Sequence, residues 1–477
     1  MKPRGLLVLL LAATFACHVP PAKAKPRGLE LGLTDAAFTA ADAASRQEWL
    51  GRAKDARADL VMLGAPWSTI APRKPPAGFD AADPAEPSYD WSRLDGAVRD
   101  AVAAGLEPVL NVNYAPRWAE GPGRPSFAVA PAGTWLPDAE QLGRFAQALA
   151  GRYAGGFVDP ADPGAGPLPR VRYFQVWAEQ NLSVHLNPLW RGGRLVGPAH
   201  YRAMLNAAYA GIHRASPAAQ AIVGGLAPYG DARAGGKRVP PVWFWRSLLC
   251  LRGSRLRPLA CPEPAHFDIA AHNPIDVFAP NIGAASPLDV SVPDIGRLTR
   301  IVRRAVATGR ALPARGKPFW ATELWWDSSP PDPDGVPIGR QARYLARALF
   351  ELWRQRVGAV VWWYLRDQAP GAAGFAATQQ SGLLFRDGRR KPAFRAFGFP
   401  FVALRQRDGR VLLWGKAPAA GRLVLERRRP NGWKTLTRLR AGRSRVFAVR
   451  VRAAGAFVAR ARQGGETSLS WRVGQGM

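Results

Sequence analysis

Pro108-Val109-Leu110-Asn111-Val112-Asn113, a helical stretch from about Pro137 to Tyr153, and Arg172-Tyr173-Phe174-Gln175-Val176-Trp177 read as one strand-helix-strand unit. Each strand is a short apolar run without clean alternation, which fits a strand covered on both faces. Parallel neighbours need a crossover of a dozen or more residues, usually a helix, so the two strands run parallel. The unit repeats in both directions. Upstream, Leu29-Glu30-Leu31-Gly32-Leu33 precedes a helix from about Ala40 to Arg57, and Asp59-Leu60-Val61-Met62-Leu63-Gly64 one from about Trp91 to Ala104. Downstream, the fourth strand is followed by a helix from Pro198 to Arg214. Ala221-Ile222-Val223-Gly224-Gly225 follows, with a helix around Trp243 to Leu251. Phe267-Asp268-Ile269-Ala270-Ala271-His272 leads to a helix from Asp294 to Thr308, and Pro318-Phe319-Trp320-Ala321-Thr322 to one from Arg340 to Arg354. Gly358-Ala359-Val360-Val361-Trp362-Trp363 is the eighth strand, with a last helix from Pro392 to Leu404. Eight such units predict a (β/α)8 TIM barrel. An open doubly wound sheet is the rival, but its G-x-G-x-x-G phosphate loop is missing from the first turn.

Beyond Arg405 the rhythm changes. Val411-Leu412-Leu413-Trp414, Arg422-Leu423-Val424-Leu425 and Val446-Phe447-Ala448-Val449 are short strands separated by Asp-Gly, Asn-Gly and Ala-Gly turns. They predict a small antiparallel β-sandwich, whose role is either sugar binding or packing against the barrel. The expected organisation is a signal peptide over 1–24, a barrel over 25–404 and a sandwich over 405–477. With 477 residues and 47% apolar content, the chain has material for a large core.

Lys2 and Arg4 precede the apolar run Leu6 to Ala13, and Ala22-Lys23-Ala24 offers an A-x-A cleavage site. That is secretory-signal anatomy, and the apolar core is too short to span a membrane. Lipoprotein anchoring at Cys17 is the alternative, but Thr14 and Phe15 suit it poorly. No later run of about 20 apolar residues occurs, so no transmembrane segment is expected. Export leaves Cys250 and Cys261, an even pair flanking a short loop, which predicts one disulfide. The formal charge is +31. Such a field favours acidic polymers, including anionic cell-wall polymers, although the basic residues are dispersed along the chain rather than grouped in an arm. No helix-turn-helix or zinc-finger spacing accompanies them, so no specific nucleic-acid partner is expected.

In a barrel of this kind chemistry gathers where strands end. Strand four ends Val176-Trp177-Ala178-Glu179-Gln180-Asn181, and strand seven Trp320-Ala321-Thr322-Glu323-Leu324-Trp325-Trp326. Each puts one Glu just past an apolar strand, and parallel strands open both onto one mouth. Two facing carboxylates are what glycosidic cleavage requires: one protonates the departing oxygen, the other attacks the anomeric carbon or activates water. A strand-end Glu held by a neighbouring Arg or amide is the plain reading of either one alone. Rival chemistries lack their signatures: there is no G-x-S-x-G elbow, no H-E-x-x-H helix and no metal-ligand cluster.

These two segments resemble those of clan A glycoside hydrolases near families 5 and 39, whose strand four ends W-N-E-P-N and whose strand seven carries T-E. Ser381-Gly382-Leu383-Leu384-Phe385 with Asp387-Gly388, Lys391-Pro392-Ala393 and Phe397 is similar to the segment common after their strand eight. The resemblance implies that Glu179 is the general acid/base and Glu323 the nucleophile of a retaining mechanism without a cofactor. The chain departs at two places: the Asn that holds the sugar 2-hydroxyl is Ala178, and the Pro is Gln180. That shifts the expected sugar contact to Gln180 or Asn181. Further subsite walls are expected from strand ends and tryptophans: Asn113, Tyr114, Trp118, Trp177, His272 with Asn273, Trp326, and Trp362 with Trp363. The expectation is a secreted O-glycosidase acting on a poly- or oligosaccharide. A catalytically inactive carbohydrate-binding barrel is the alternative that Ala178 motivates.

Overall fold

The computed structural model describes residues 28–275 and 277–474. The expected signal segment and Cys17 lie outside them. Eight parallel strands form the central sheet: β1 Glu30–Thr34, β2 Leu60–Pro66, β3 Glu107–Asn113, β4 Tyr173–Val176, β5 Gln220–Val223, β6 Ala270–His272, β7 Phe319–Leu324 and β8 Val357–Trp363. They pair in sequence order, and β8 pairs with β1 through Leu31 opposite Val360. The parallel bridge Ile222–Ile269 joins β5 to β6 and closes the ring. The (β/α)8 barrel expected from the sequence is the fold observed.

The flanking helices are α1 Ala43–Asp55, α2 Ser92–Ala103, α3 Ala139–Arg152, α4 Gly197–Ala215, α5 Pro241–Leu248, α6 Gly296–Ala307, α7 Ile338–Arg354 and α8 Pro392–Gly398. Local chemistry starts two of them: Asp42 accepts from Ser45 N–H at 2.7 Å and Asp138 from Gln141 N–H at 3.0 Å, capping α1 and α3. The last helix was expected to reach Leu404 but stops at Gly398. Pro400 disfavours helical geometry at Phe399, and residues from Phe401 onward are drawn into a strand.

Strand alternation sorts the apolar residues into two clusters. Leu60, Met62, Val109, Ile222, Trp320 and Val361 fill the barrel interior, while Leu31, Val61, Phe174, Val360 and Trp362 pack outward against the helices. β7 breaks this alternation. Its pairing with β8 shifts register between Ala321 and Leu324, and both of those residues pack outward. The extra residue turns Thr322 and Glu323 together toward the barrel axis. Bulges re-aim side chains next to active sites in this way.

Cys250 and Cys261 form the expected disulfide, with Cα atoms 5.8 Å apart. Behind the barrel mouth, Lys391 Nζ donates to Asp367 Oδ1 at 2.6 Å, to Ser328 Oγ at 2.8 Å and to Gln380 O at 3.0 Å. The pair is sealed from solvent and ties the loops beyond β7 and β8 to α8. Removing one partner strands a buried charge. Lys391→Met is therefore expected to cost about 3–5 kcal/mol of stability, read as a lower denaturation midpoint in urea.

The C-terminal strands are β9 Phe401–Arg405, β10 Arg410–Lys416, β11 Gly421–Arg429, β12 Gly432–Ala441, β13 Val446–Arg452, β14 Phe457–Gln463 and β15 Trp471–Val473. β9, β10 and β13 make one antiparallel sheet; β12, β11 and β14, with β15 alongside, make a second. Trp414 of β10 meets Phe350 and Trp353 of α7, ring centroids 5.6 and 5.7 Å apart. Lys416 and Arg445 both pair with Asp59, just before β2, at the end of the barrel opposite the strand ends that bear Glu179 and Glu323.

Candidate active site

Past Val176 the chain leaves extended geometry. Trp177 and Glu179 take φ of +69° and +46°, and Tyr114 after β3 takes +54°. Such left-handed residues cost on the order of 1–3 kcal/mol each and persist only where their surroundings hold them. Here Glu179 N–H donates to Gly225 O at 2.7 Å, and Trp177 Nε1 to His185 O at 2.8 Å. The turn swings Glu179 over the barrel mouth.

Asn273, directly after β6, links Glu179 to β7. Thr322 Oγ1 donates to its Oδ1 at 2.8 Å, which fixes the amide so that its nitrogen faces the carboxylates. Nδ2 then donates to Glu179 Oε1 at 3.1 Å. Gly225 makes room: a Cβ there would sit 2.0 Å from Asn273 Oδ1 and 2.3 Å from Thr322 Oγ1.

Burial raises the Glu179 carboxyl above the ordinary range, opposed by the Asn273 hydrogen bond. Burial raises Glu323 as well, and the Glu179 charge adds to it. Two carboxylates this close do not both ionise readily, so the pair retains a shared proton into a higher pH range than free carboxylates would. His185 Nε2 lies 3.8 Å from Glu179 Oε2, while its Nδ1 meets Tyr114 Oη at 2.7 Å. Burial lowers its pKa, keeping the imidazole neutral near pH 7. Tyr364, half-buried after β8, is pushed up to about 12 by burial and then by the Glu323 charge.

Of the residues expected at the site, Glu179, Glu323 and Tyr114 come together; both acids act on the Tyr114 hydroxyl. Asn113 is half-buried at the end of β3. Others are walled off. Trp177, Gln180, Asn181, His272 and Trp362 have no solvent-exposed surface, and Trp326 has 3%. Asn181 Nδ2 donates to Ala227 O and Val239 O at 3.1 and 2.9 Å, and Gln180 Nε2 to Gly224 O at 2.9 Å. Neither replaces the sugar contact missing at Ala178. Ala359 and Val361 face the barrel interior, so alternation turns Trp362 outward, where it donates to Ser381 O at 2.9 Å. Trp326 Nε1 donates to Phe278 O at 3.0 Å and His272 Nε2 meets Val290 O at 2.9 Å. Trp118 packs edge-on against Trp67 and Phe79, with Nε1 donating to Pro72 O at 2.9 Å. These residues frame the mouth rather than present faces to a ligand. His185 and Tyr364 were not singled out from the sequence. A lone His in a loop and a Tyr beyond a Trp-Trp pair carry no spacing that marks them.

The structure of a family 39 glycoside hydrolase from the gut symbiont Bacteroides cellulosilyticus WH2 superposes with a TM-score of 0.54 at 16% identity, over 90% of this chain and 81% of that one. The fold is shared with that glycoside hydrolase. A glucosidase from Croceicoccus marinus gives 0.49 at 15% identity, over 90% and 94% of the two chains. A family 39 beta-xylosidase from Caulobacter crescentus gives 0.47 at 18%, over 85% and 83%. No protein-family model matches the sequence, and no curated protein compared with it does.

Proposed function

We propose that this chain is a secreted glycoside hydrolase that cleaves an O-glycosidic bond of a poly- or oligosaccharide with retention of configuration. Glu179 serves as general acid/base and Glu323 as nucleophile. The observation that carries this reading is the Asn273 amide that links Glu179 to Thr322, the residue before Glu323, so that both acids meet at one mouth of the barrel. Retention is what the resemblance of the Glu179 and Glu323 segments to those of retaining glycosidases implies. Glu179 suits the acid/base role because its side chain is 16% exposed and can exchange protons with water. Glu323, turned inward by the β7 bulge, is placed to attack from beneath the sugar. The N-terminal signal pattern and the Cys250–Cys261 disulfide support action outside the cytoplasm. No cofactor enters the chemistry.

Aryl glycosides differing in sugar supply the test. Proton NMR of the first-formed product from whichever is cleaved is expected to show the anomer of the starting glycoside. Inversion would overturn the nucleophile assignment. A chain that binds oligosaccharides but releases no reducing ends from any substrate would overturn the enzymatic reading.

A further inference from the structure

The positive charge, dispersed over the chain as a whole, is densest at its C-terminal end. Residues 401–477, about a sixth of the chain, hold eighteen Lys and Arg against three Asp and Glu, a net +15 of the chain's +31. Sixteen of the eighteen are Arg. In the second sheet the register sorts them onto one face. Leu423, Leu425, Ala459 and Ala461 are buried on the inner side. Arg422 therefore stands on the outer side opposite Arg440, and Val424 opposite Arg438 and Arg462. Arg422, Arg438, Arg440 and Arg462 are exposed.

Like charges directly opposite on a sheet face destabilise it. One carboxylate answers them: Glu426 pairs with Arg460 at 2.8 Å and Arg462 at 3.2 Å. Among the described residues no ion pair holds Arg422, Arg438 or Arg440. Trp433 lies between Arg460 and Arg428, whose guanidinium carbons are 4.0 and 5.6 Å from its ring centre. Arg460 is engaged by Glu426, whereas Arg422, Arg438 and Arg440 keep the fork that grips a carboxylate with two parallel hydrogen bonds. The face is exposed and built of forks rather than point charges.

We propose that this face docks a carboxylate-bearing polysaccharide, a polyuronate, holding the chain on an acidic matrix while the barrel mouth at the other end works. The choice of a polysaccharide over other polyanions rests on the glycosidase reading above. The arrangement separates anchoring from cleavage, since Asp59 fixes this module beneath the barrel.

The test uses the full chain carrying Glu323→Gln, so that binding is read without turnover. Affinity electrophoresis through gels of polygalacturonate is set against neutral xylan, with double-stranded DNA and anionic phospholipid vesicles as separate arms. Polygalacturonate is expected to retard the protein most, with a strong salt dependence. The triple variant Arg422→Ser/Arg438→Ser/Arg440→Ser is expected to weaken retention at least tenfold. The corresponding triple Lys variant, which keeps the charge and loses the forks, is expected to fall between. These positions are exposed, and circular dichroism checks that each variant folds. Unchanged retention in the Ser variant overturns the proposal, as does equal retention by neutral xylan. Tighter binding of DNA or vesicles than of polygalacturonate overturns it too. Wild-type protein that binds polygalacturonate but hydrolyses no glycoside supports the docking face and sinks the glycosidase reading, so the two failures are distinguishable.

Discussion

Glu323→Gln is expected to lower kcat/KM on an activated aryl glycoside by at least about 10⁴-fold, the order seen when a covalent nucleophile is removed. The isosteric amide keeps the hydrogen-bonding bulk beside Asn273 but cannot form the glycosyl ester. The smaller Glu323→Ala leaves a gap at the barrel axis that azide can enter. Azide should restore turnover and yield a glycosyl azide of inverted configuration, because one displacement then replaces two. Glu179→Ala behaves differently. It should slow substrates with poor leaving groups far more than activated ones, since only the former need a proton. Normal hydrolysis by Glu323→Gln would remove this residue from the mechanism.

The second large effect belongs to Asn273. Asn273→Ala is expected to cost about 10²–10³-fold in kcat, the scale for losing one preorganised donor. It should also move the pH profile. The Asn273 amide favours the ionised form of both acids, so without it burial acts unopposed and both pKa values rise. The acid limb, which needs Glu323 ionised, and the alkaline limb, which needs Glu179 protonated, both shift to higher pH. A donor that merely props the loop would lower the rate and leave the limbs in place. Asn273 also supplies an amide next to the acids where Ala178 supplies none, and a 2-deoxy substrate would reveal whether that amide reaches the sugar.

Much of this was legible in the residues. Eight apolar runs joined by helical stretches fix a parallel barrel because both faces of each strand are covered and each crossover is long. The two Glu positions followed from strand ends alone. The orientation of individual side chains did not. Whether Trp362 faces inward depends on which residues of Val357–Trp363 share its side, and the apolar run hides that alternation. The β7 bulge is equally silent, since Trp320-Ala321-Thr322-Glu323 reads the same with or without an extra residue in its ladder. Asn181 looked free to meet a sugar, yet backbone groups of residues 227 and 239, distant in sequence, consume it. Long-range partners of this sort leave no local trace. His185 and Tyr364 belong to the same class.

Trp414, wedged against Phe350 and Trp353, makes the barrel's helical coat and the terminal sheets one continuous apolar mass. A truncation placed after residue 404 would therefore amputate β9 at its last residue, bare two aromatic rings on α7 and deprive Asp59 of both its cations. The linear sequence suggests a seam at that place, but aromatic packing and two ion pairs run across it.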